Sequence, residues 1–204
     1  MRLNILSKEQ QDLLPFIQSF EKTYYLVGGT AIALHIGHRL SIDFDMFRLQ
    51  NVSHKQIIDR LTAYNLSFRL LHRDSESLHI IVHGVKLTFF QFPFKIPVKT
   101  TDLKVKIPDL LHLGAMKAYA IGRRSKWKDY VDLYFILKYH HSLEEVTKAS
   151  QLLFEMLFSP KLFKQQLCYF EDIDYTEEVT FLPGFEVDDE TVKQFLVALS
   201  TETL

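Results

Sequence analysis

A single cysteine, Cys168, stands in 204 residues. No intramolecular disulfide can form, and the chain fits a reducing compartment. Charge of neither sign dominates: 24 Lys and Arg against 25 Asp and Glu leave a formal net charge of −1. That excludes a global basic field for drawing in nucleic acid and leaves room only for a local basic patch. No apolar run approaches the length of a membrane span, and the opening MRLNILSKEQQ has neither a long apolar stretch nor a cleavage site. A soluble cytoplasmic protein with no membrane partner is therefore expected. Repeats and low-complexity segments are also missing. What remains is an ordinary globular balance, 47% hydrophobic and 24% charged, with enough chain for one sizeable core or two small domains.

Local signals divide the chain into two textures. In SKEQQDLLPFIQSF, Ser7 and Gln10 have capping-box spacing ahead of a helix. YYLVGG reads as a short strand stopped by glycines, TAIALHIG as a helix, and residues 54–64 as another helix. LHIIVHGVKLTFFQF reads as two strands joined by a turn at His83-Gly84, and PFKIPVKT as a proline-punctuated connector. After Asp102 the pattern turns helical. IPDLLHLGAMKAYAIG has Pro108 at its start and Gly122 at its end, KWKDYVDLYFILKYH follows, and residues 142–157, 160–169 and 188–199 continue the trend. The expectation is an α+β fold: a mixed sheet with flanking helices over residues 1–101, then a mostly helical domain over 102–204 that packs on the core and completes its site.

SIDFDMF alternates, with Ile42, Phe44 and Met46 on one face and Ser41, Asp43 and Asp45 on the other. Asp43 and Asp45 thus present two carboxylates to one side of a strand. Such a pair repels unless a cation lies between, and an unpaired carboxylate in apolar company is costly. A hard divalent cation such as Mg²⁺ (or Mn²⁺), taking oxygen ligands and phosphate, answers both problems. The bland alternative is an edge strand with a solvated polar face, and a lone D-x-D favours it. Gly28-Gly29 shifts the balance, because after YYLV the pair can turn tightly into a helix and bring backbone N–H groups up to a phosphate.

A strand, a Gly-Gly turn, a helix and a D-x-D strand in succession resemble the nucleotidyltransferase (polymerase β-like) superfamily. VGGTAIALHIGHRLSIDFDMF, GVKLTFFQFPF and KAYAIGRRSKWKDYVDLYFIL together resemble, in order and spacing, the AbiEii/AbiGii-type nucleotidyltransferase toxins. The likeness covers roughly residues 24–140 and fades in the last third. It implies a metal-dependent enzyme moving NMP from an NTP, in some members onto tRNA acceptor ends. It also implies the toxin role in a toxin–antitoxin or abortive-infection pair with a cognate antitoxin.

By this resemblance the metal carboxylates fall on Asp43 and Asp45, and the phosphate turn on Gly28, Gly29 and Thr30. Thr30 could equally cap the helix. Arg39 and Ser41 precede the carboxylates, with Arg39 able to offset triphosphate charge. Lys117 would hold the γ-phosphate or the leaving pyrophosphate, although a solvated helix lysine is the plain reading. An acid from the third block would complete the site, Asp129 ahead of Asp132. Helix capping is the alternative for Asp129, and a structural partner for Asp132. The loop Arg123, Arg124, Lys126 and Lys128 is either a guide for RNA phosphate or a solvated loop.

The sequence departs from the superfamily at Thr88, where a third carboxylate is expected and no acid follows before Asp102. Either Asp129 or Asp132 substitutes, or one metal is absent, or the chain only binds. His35, His38, His79 and His83 lack tight ligand spacing and read as ordinary polar positions. Cys168 reads as a buried helix residue, and no Ser-His-Asp arrangement is present. Competing with transfer to RNA are transfer to a small-molecule or protein acceptor and a catalytically impaired binding module of the same fold.

Overall fold

A computed structural model describes residues 1–201. It divides into two compact units that meet in sequence at Asp109 and Leu110. Residues 102–109 stay with the first because Lys106–Ile107 pair antiparallel with Lys99–Thr100.

Unit 1 begins with α1 (Lys8–Gln18), where Ser7 accepts from the Gln10 N–H and the Gln10 side chain accepts from the Ser7 N–H. There follow β1 (Tyr25–Val27), α2 (Gly28–Ile36), β2 (Asp43–Arg48), α3 (His54–Ala63), β3 (Arg69–Arg73), β4 (Ser77–Val82) and β5 (Val85–Gln91). The strands form one mixed sheet in the order β1-β2-β5-β4-β3. β2 runs parallel to β5, and the other pairs are antiparallel. The turn between β4 and β5 is set by His83 and Gly84, both at positive φ (49° and 82°), as a two-residue hairpin of right-handed strands requires.

Alternation gives the sheet one apolar face. Leu26, Phe44, Met46, Leu78, Ile80, Leu87 and Phe89 are buried there, and Phe20 and Tyr24 pack their rings on Phe89 at 5.1 and 5.3 Å. Ile42, expected among these residues, lies outside β2 and is exposed. The strand begins only at Asp43, so Ile42 has no pleat to turn it inward. The register puts Asp43, Asp45, Lys86, Thr88 and His79 together on the opposite face.

Unit 2 is helical: α4 (Leu110–Ile121), α5 (Trp127–Tyr139), α6 (Leu143–Phe154), α7 (Pro160–Leu167) and α8 (Asp189–Thr201). A Ser142–Glu145 capping box starts α6, and Pro160 opens α7. At Gly114 an added Cβ would press on Ile136 at 3.3 Å and Val146 at 3.4 Å, so the glycine lets α4 lie close to α5 and α6. Cys168 is exposed at the end of α7, contrary to its expected burial; the helix stops at Leu167 and takes the thiol out of the packed face. Among the described residues, no helix is long and apolar enough to cross a membrane.

Candidate functional site

In unit 1, Asp45 sits between two strands, opposite Val27 of β1 and Thr88 of β5, and Asp43 lies opposite Lys86. Both aspartates are half-buried, while Phe44 and Met46 between and beyond them are fully buried. The chain leaves β1 at Val27 and enters α2 at Gly28 without a spacer. Gly28 has φ +71°, and a Cβ there would land on the Asp45 carboxylate. Only glycine meets both conditions, a left-handed backbone and a carboxylate against the Cα. A Cβ at Gly29 would strike the Arg39 guanidinium. Val27, the N-cap of α2, supplies no side-chain acceptor for the first-turn N–H groups. The start of α2 thus combines backbone donors and the positive end of a helix dipole with a carboxylate pair.

The residues around this turn hold it in place. Thr30 is buried, and its hydroxyl donates to the Asp43 carbonyl and lies 2.7 Å from the Ser41 hydroxyl. That ties α2 to the segment entering β2. Arg39 is 4% exposed, with Nη1 donating to the Leu40 carbonyl at 3.0 Å. The donor set of Asp43 and Asp45, two hard carboxylates on one face with no side chain at Gly28 to crowd them, fits a divalent cation. Among the described residues, no group of three or more His, Cys, Asp or Glu side chains converges as a metal site.

In unit 2, Lys117 of α4 and Asp129 and Asp132 of α5 form a buried cluster. The Lys117 ammonium pairs with Asp129 and, at 2.9 Å, with Asp132 Oδ2; all three are under about one-twentieth exposed. Arg124 adds a second cation to Asp129, Nε to Oδ2 at 2.9 Å. Burial pushes the Asp129 carboxyl up, but the Lys117 ammonium and Arg124 guanidinium outweigh it and hold the group below the ordinary aspartate range. Asp129 does not cap α5: Lys126 is the N-cap, and the Asp129 carboxylate turns to Lys117 and Arg124.

The loop from Arg123 to Lys128 is not the bare cationic patch its sequence suggests. Lys126 and Lys128 both pair with Glu177. Arg124 is committed to Asp129, and Arg123 lies over the Tyr119 ring while donating to the carbonyls of Tyr119 and Leu157. Residues 125–127 also exchange backbone hydrogen bonds with Asp174.

His79 is the residue that sequence reasoning set aside. It lies inside the sheet on β4, directly opposite Thr88 and two strands from Asp45, with β5 between. The hairpin turn at His83-Gly84 already implied the Thr88 pairing. Only the parallel join of β5 to β2 adds Asp45 to the row.

The family of the nucleotidyl transferase AbiEii toxin, of type IV toxin–antitoxin systems, matches residues 15–108. An uncharacterized protein of Aquifex aeolicus is 32% identical over 179 residues, covering 82% of this chain and 84% of the relative. Among solved structures, the nucleotidyltransferase toxin MenT4 of Mycobacterium tuberculosis aligns at a TM-score of 0.62 with 12% identity, over 94% of this chain and 80% of that one. The Helicobacter pylori protein JHP933 aligns at 0.63 with 16% identity, over 96% and 91%. The two solved structures share this chain's α+β fold. The chain is a nucleotidyltransferase and belongs to the AbiEii toxin family.

Proposed function

We propose that this protein moves NMP from an NTP to the 3′ hydroxyl of an RNA, with the tRNA acceptor end as the candidate acceptor, and that Asp43 and Asp45 hold Mg²⁺ or Mn²⁺ for the reaction. The observation that carries the reading is the fit of Gly28 against the Asp45 carboxylate, at a helix start whose N-cap supplies no side-chain acceptor. A cation bound there offsets charge on the reacting phosphate and on the departing pyrophosphate. Gly28 and Gly29 offer backbone donors to the phosphates, Arg39 offers a planar cation beside the same turn, and Thr30 and Ser41 keep α2 in register with β2. Lys117, Asp129 and Asp132 remain candidate catalytic groups of unit 2, where the cluster keeps one ammonium preset among carboxylates. Membership of the AbiEii toxin family supports a role opposite a cognate antitoxin; the toxic act fits modification of an RNA the cell cannot spare. Exposed Arg69 and Arg73 on β3 and half-buried Lys86 on β5 supply local positive charge for such a strand.

A second reading has its own observation. The capture of Lys126 and Lys128 by Glu177 favours an acceptor carrying few phosphates, hence a small hydroxylated molecule. Incubation with each labelled NTP, Mg²⁺ or Mn²⁺, and total RNA separates the two. Label entering RNA with at least one NTP supports the first reading. Label entering only a small acceptor transfers the assignment to the second, and no label in any acceptor leaves a binding module.

A further inference from the structure

We propose that His79 is the base that takes the proton from the attacking acceptor hydroxyl; the inference rests on the reading of Asp43 and Asp45 given above. Nucleotidyl transfer forms a bond from the acceptor oxygen to the α-phosphorus and breaks the bond from that phosphorus to the bridging oxygen. Pyrophosphate leaves with the electron pair, and the hydroxyl proton must go to a base held nearby.

The face that carries the two aspartates offers few candidates. Lys86 is a cation. Thr88, at 8% exposure, carries a hydroxyl too weakly basic to hold a proton near neutral pH. His79 lies in the same cross-strand row as Asp45 and Thr88. Two strand spacings put its backbone about 10 Å from that of Asp45, with the small Thr88 between them, so an acceptor hydroxyl over Thr88 would face both the imidazole and the carboxylate.

Its surroundings keep His79 uncharged and oriented. Burial comes first in lowering its proton affinity, and Lys86 from β5 and His72 from β3 act in the same direction. Asp45 from β2 and Asp74 from the turn between β3 and β4 oppose them without reversing the shift. The imidazole therefore holds a proton less readily than an ordinary histidine, which favours the neutral form that can accept one. The His72 ring meets the His79 ring edge to face, with centroids 5.5 Å apart at 86°. His72 is held in turn by Asp74, its Nε2 lying 2.7 Å from Oδ2. The Asp74 carboxylate is itself fixed by the Glu76 and Ser77 N–H groups at 2.8 and 2.7 Å. Asp74 and His72 are thus positioning residues for His79.

The test compares wild type with His79→Gln in the labelled transfer assay across pH, with NTP binding measured separately. The expected result is a loss of about 10²–10⁴-fold in kcat, NTP affinity within about twofold, and disappearance of the rise in rate with pH through the His79 titration. A kcat within about threefold of wild type, or a rise that persists, overturns the assignment. If His79→Gln does not fold, Asp74→Asn is read instead. It should lower kcat by less and shift the same rise, and an unchanged profile overturns the proposal. If wild type labels no RNA, the acceptor reading fails alone, and the same profiles are then read on conversion of NTP to NMP with water as acceptor. Absence of NMP from any acceptor overturns both. Ring titration of wild-type His79 by NMR is independent of turnover: it should fall below the ordinary histidine value, and a value at or above it overturns the proposal.

Discussion

Two pairs of aspartates, one in each unit, differ in burial and in surroundings. Asp43 and Asp45 lie two apart on a strand, half-buried on one face of a sheet, with a glycine making room at Asp45. Asp129 and Asp132 lie three apart on a helix, fully buried, with the Lys117 ammonium between them and Arg124 on Asp129. The second pair carries its cations within the chain. The first pair sits beside the Gly28 turn, where the proposed reading places a divalent cation. A fully buried carboxylate depends on cations held by its own chain; a half-buried one beside a glycine leaves space for a ligand as well.

The largest contrast should come from truncating one member of each pair. Asp45→Asn, or Asp43→Asn, is expected to lower nucleotide transfer by about 10³-fold or more, as lost metal stabilisation is worth several kcal/mol. For Asp45→Asn, thermal stability should move by only about 0.5 kcal/mol. Transfer surviving either change would remove the pair from the chemistry.

Lys117→Met should do the reverse to the fold. Leaving two buried carboxylates without their ammonium costs about 3–5 kcal/mol. The sign with pH sharpens this. In wild type, Asp129 titrates below its unfolded value, so its stabilisation is complete above about pH 4 and is lost as pH falls further. In Lys117→Met the folded carboxyls should titrate above the unfolded value. The deficit should then be greatest near neutrality and shrink on acidification. Urea melts at pH 7 and pH 4 check both the size and the crossover, and equal deficits at the two pH values would break the comparison.

Gly28→Ala and Gly29→Ala differ by backbone angle as well as by neighbour. At Gly28 the left-handed φ costs about 1–3 kcal/mol for alanine, and the new methyl displaces Asp45, so stability and transfer should fall together. At Gly29 the obstacle is the far end of the Arg39 side chain. A shift of that guanidinium should absorb most of the strain, leaving stability little changed while NTP binding weakens. Melting curves and nucleotide titrations on both variants separate the two.

The smallest effect belongs to Glu177→Gln. Burial alone would raise the Glu177 carboxyl, but the bonds from Lys126 and Lys128 bring it down to about 2. Its contribution is therefore present above the ordinary glutamate value and lost as pH falls toward 2. The site is partly open to solvent, so the loss at pH 7 should be about 0.2–1 kcal/mol and should shrink in high salt. The same change frees Lys126 and Lys128. Tighter, salt-sensitive RNA binding by Glu177→Gln, in a filter-binding assay, would make Glu177 a restraint on an RNA-guiding loop. Unchanged binding would leave the loop as architecture.

How much of this was legible beforehand depends on the distance over which each interaction acts. The capping boxes at Ser7 and Ser142 satisfy helix N–H groups within three residues, so short spacing reveals them. The turn at His83-Gly84 sets the β4–β5 register by itself and so implies His79 opposite Thr88. The Gly28-Gly29 turn and the D-x-D alternation were likewise readable, because glycine's freedom and the two-residue period of a strand are local properties. Cys168 and Ile42 lie where an element ends two residues earlier or begins two residues later than the pattern implies.

The amino-acid sequence by itself therefore determined the α+β class, the change to helices after the sheet, and the turn and strand that carry Gly28, Asp43 and Asp45. Tertiary structure alone decided what each carboxylate lies beside. The parallel pairing of β2 with β5, across a long connection, sets Thr88 beside Asp45 and His79 beyond it. Packing of α4 against α5 buries Lys117 between Asp129 and Asp132. A segment some fifty residues downstream brings Glu177 to Lys126 and Lys128. Charge composition is additive along a chain, but the energy of a charge depends on burial and on what lies within a few ångströms, and only the folded backbone supplies both.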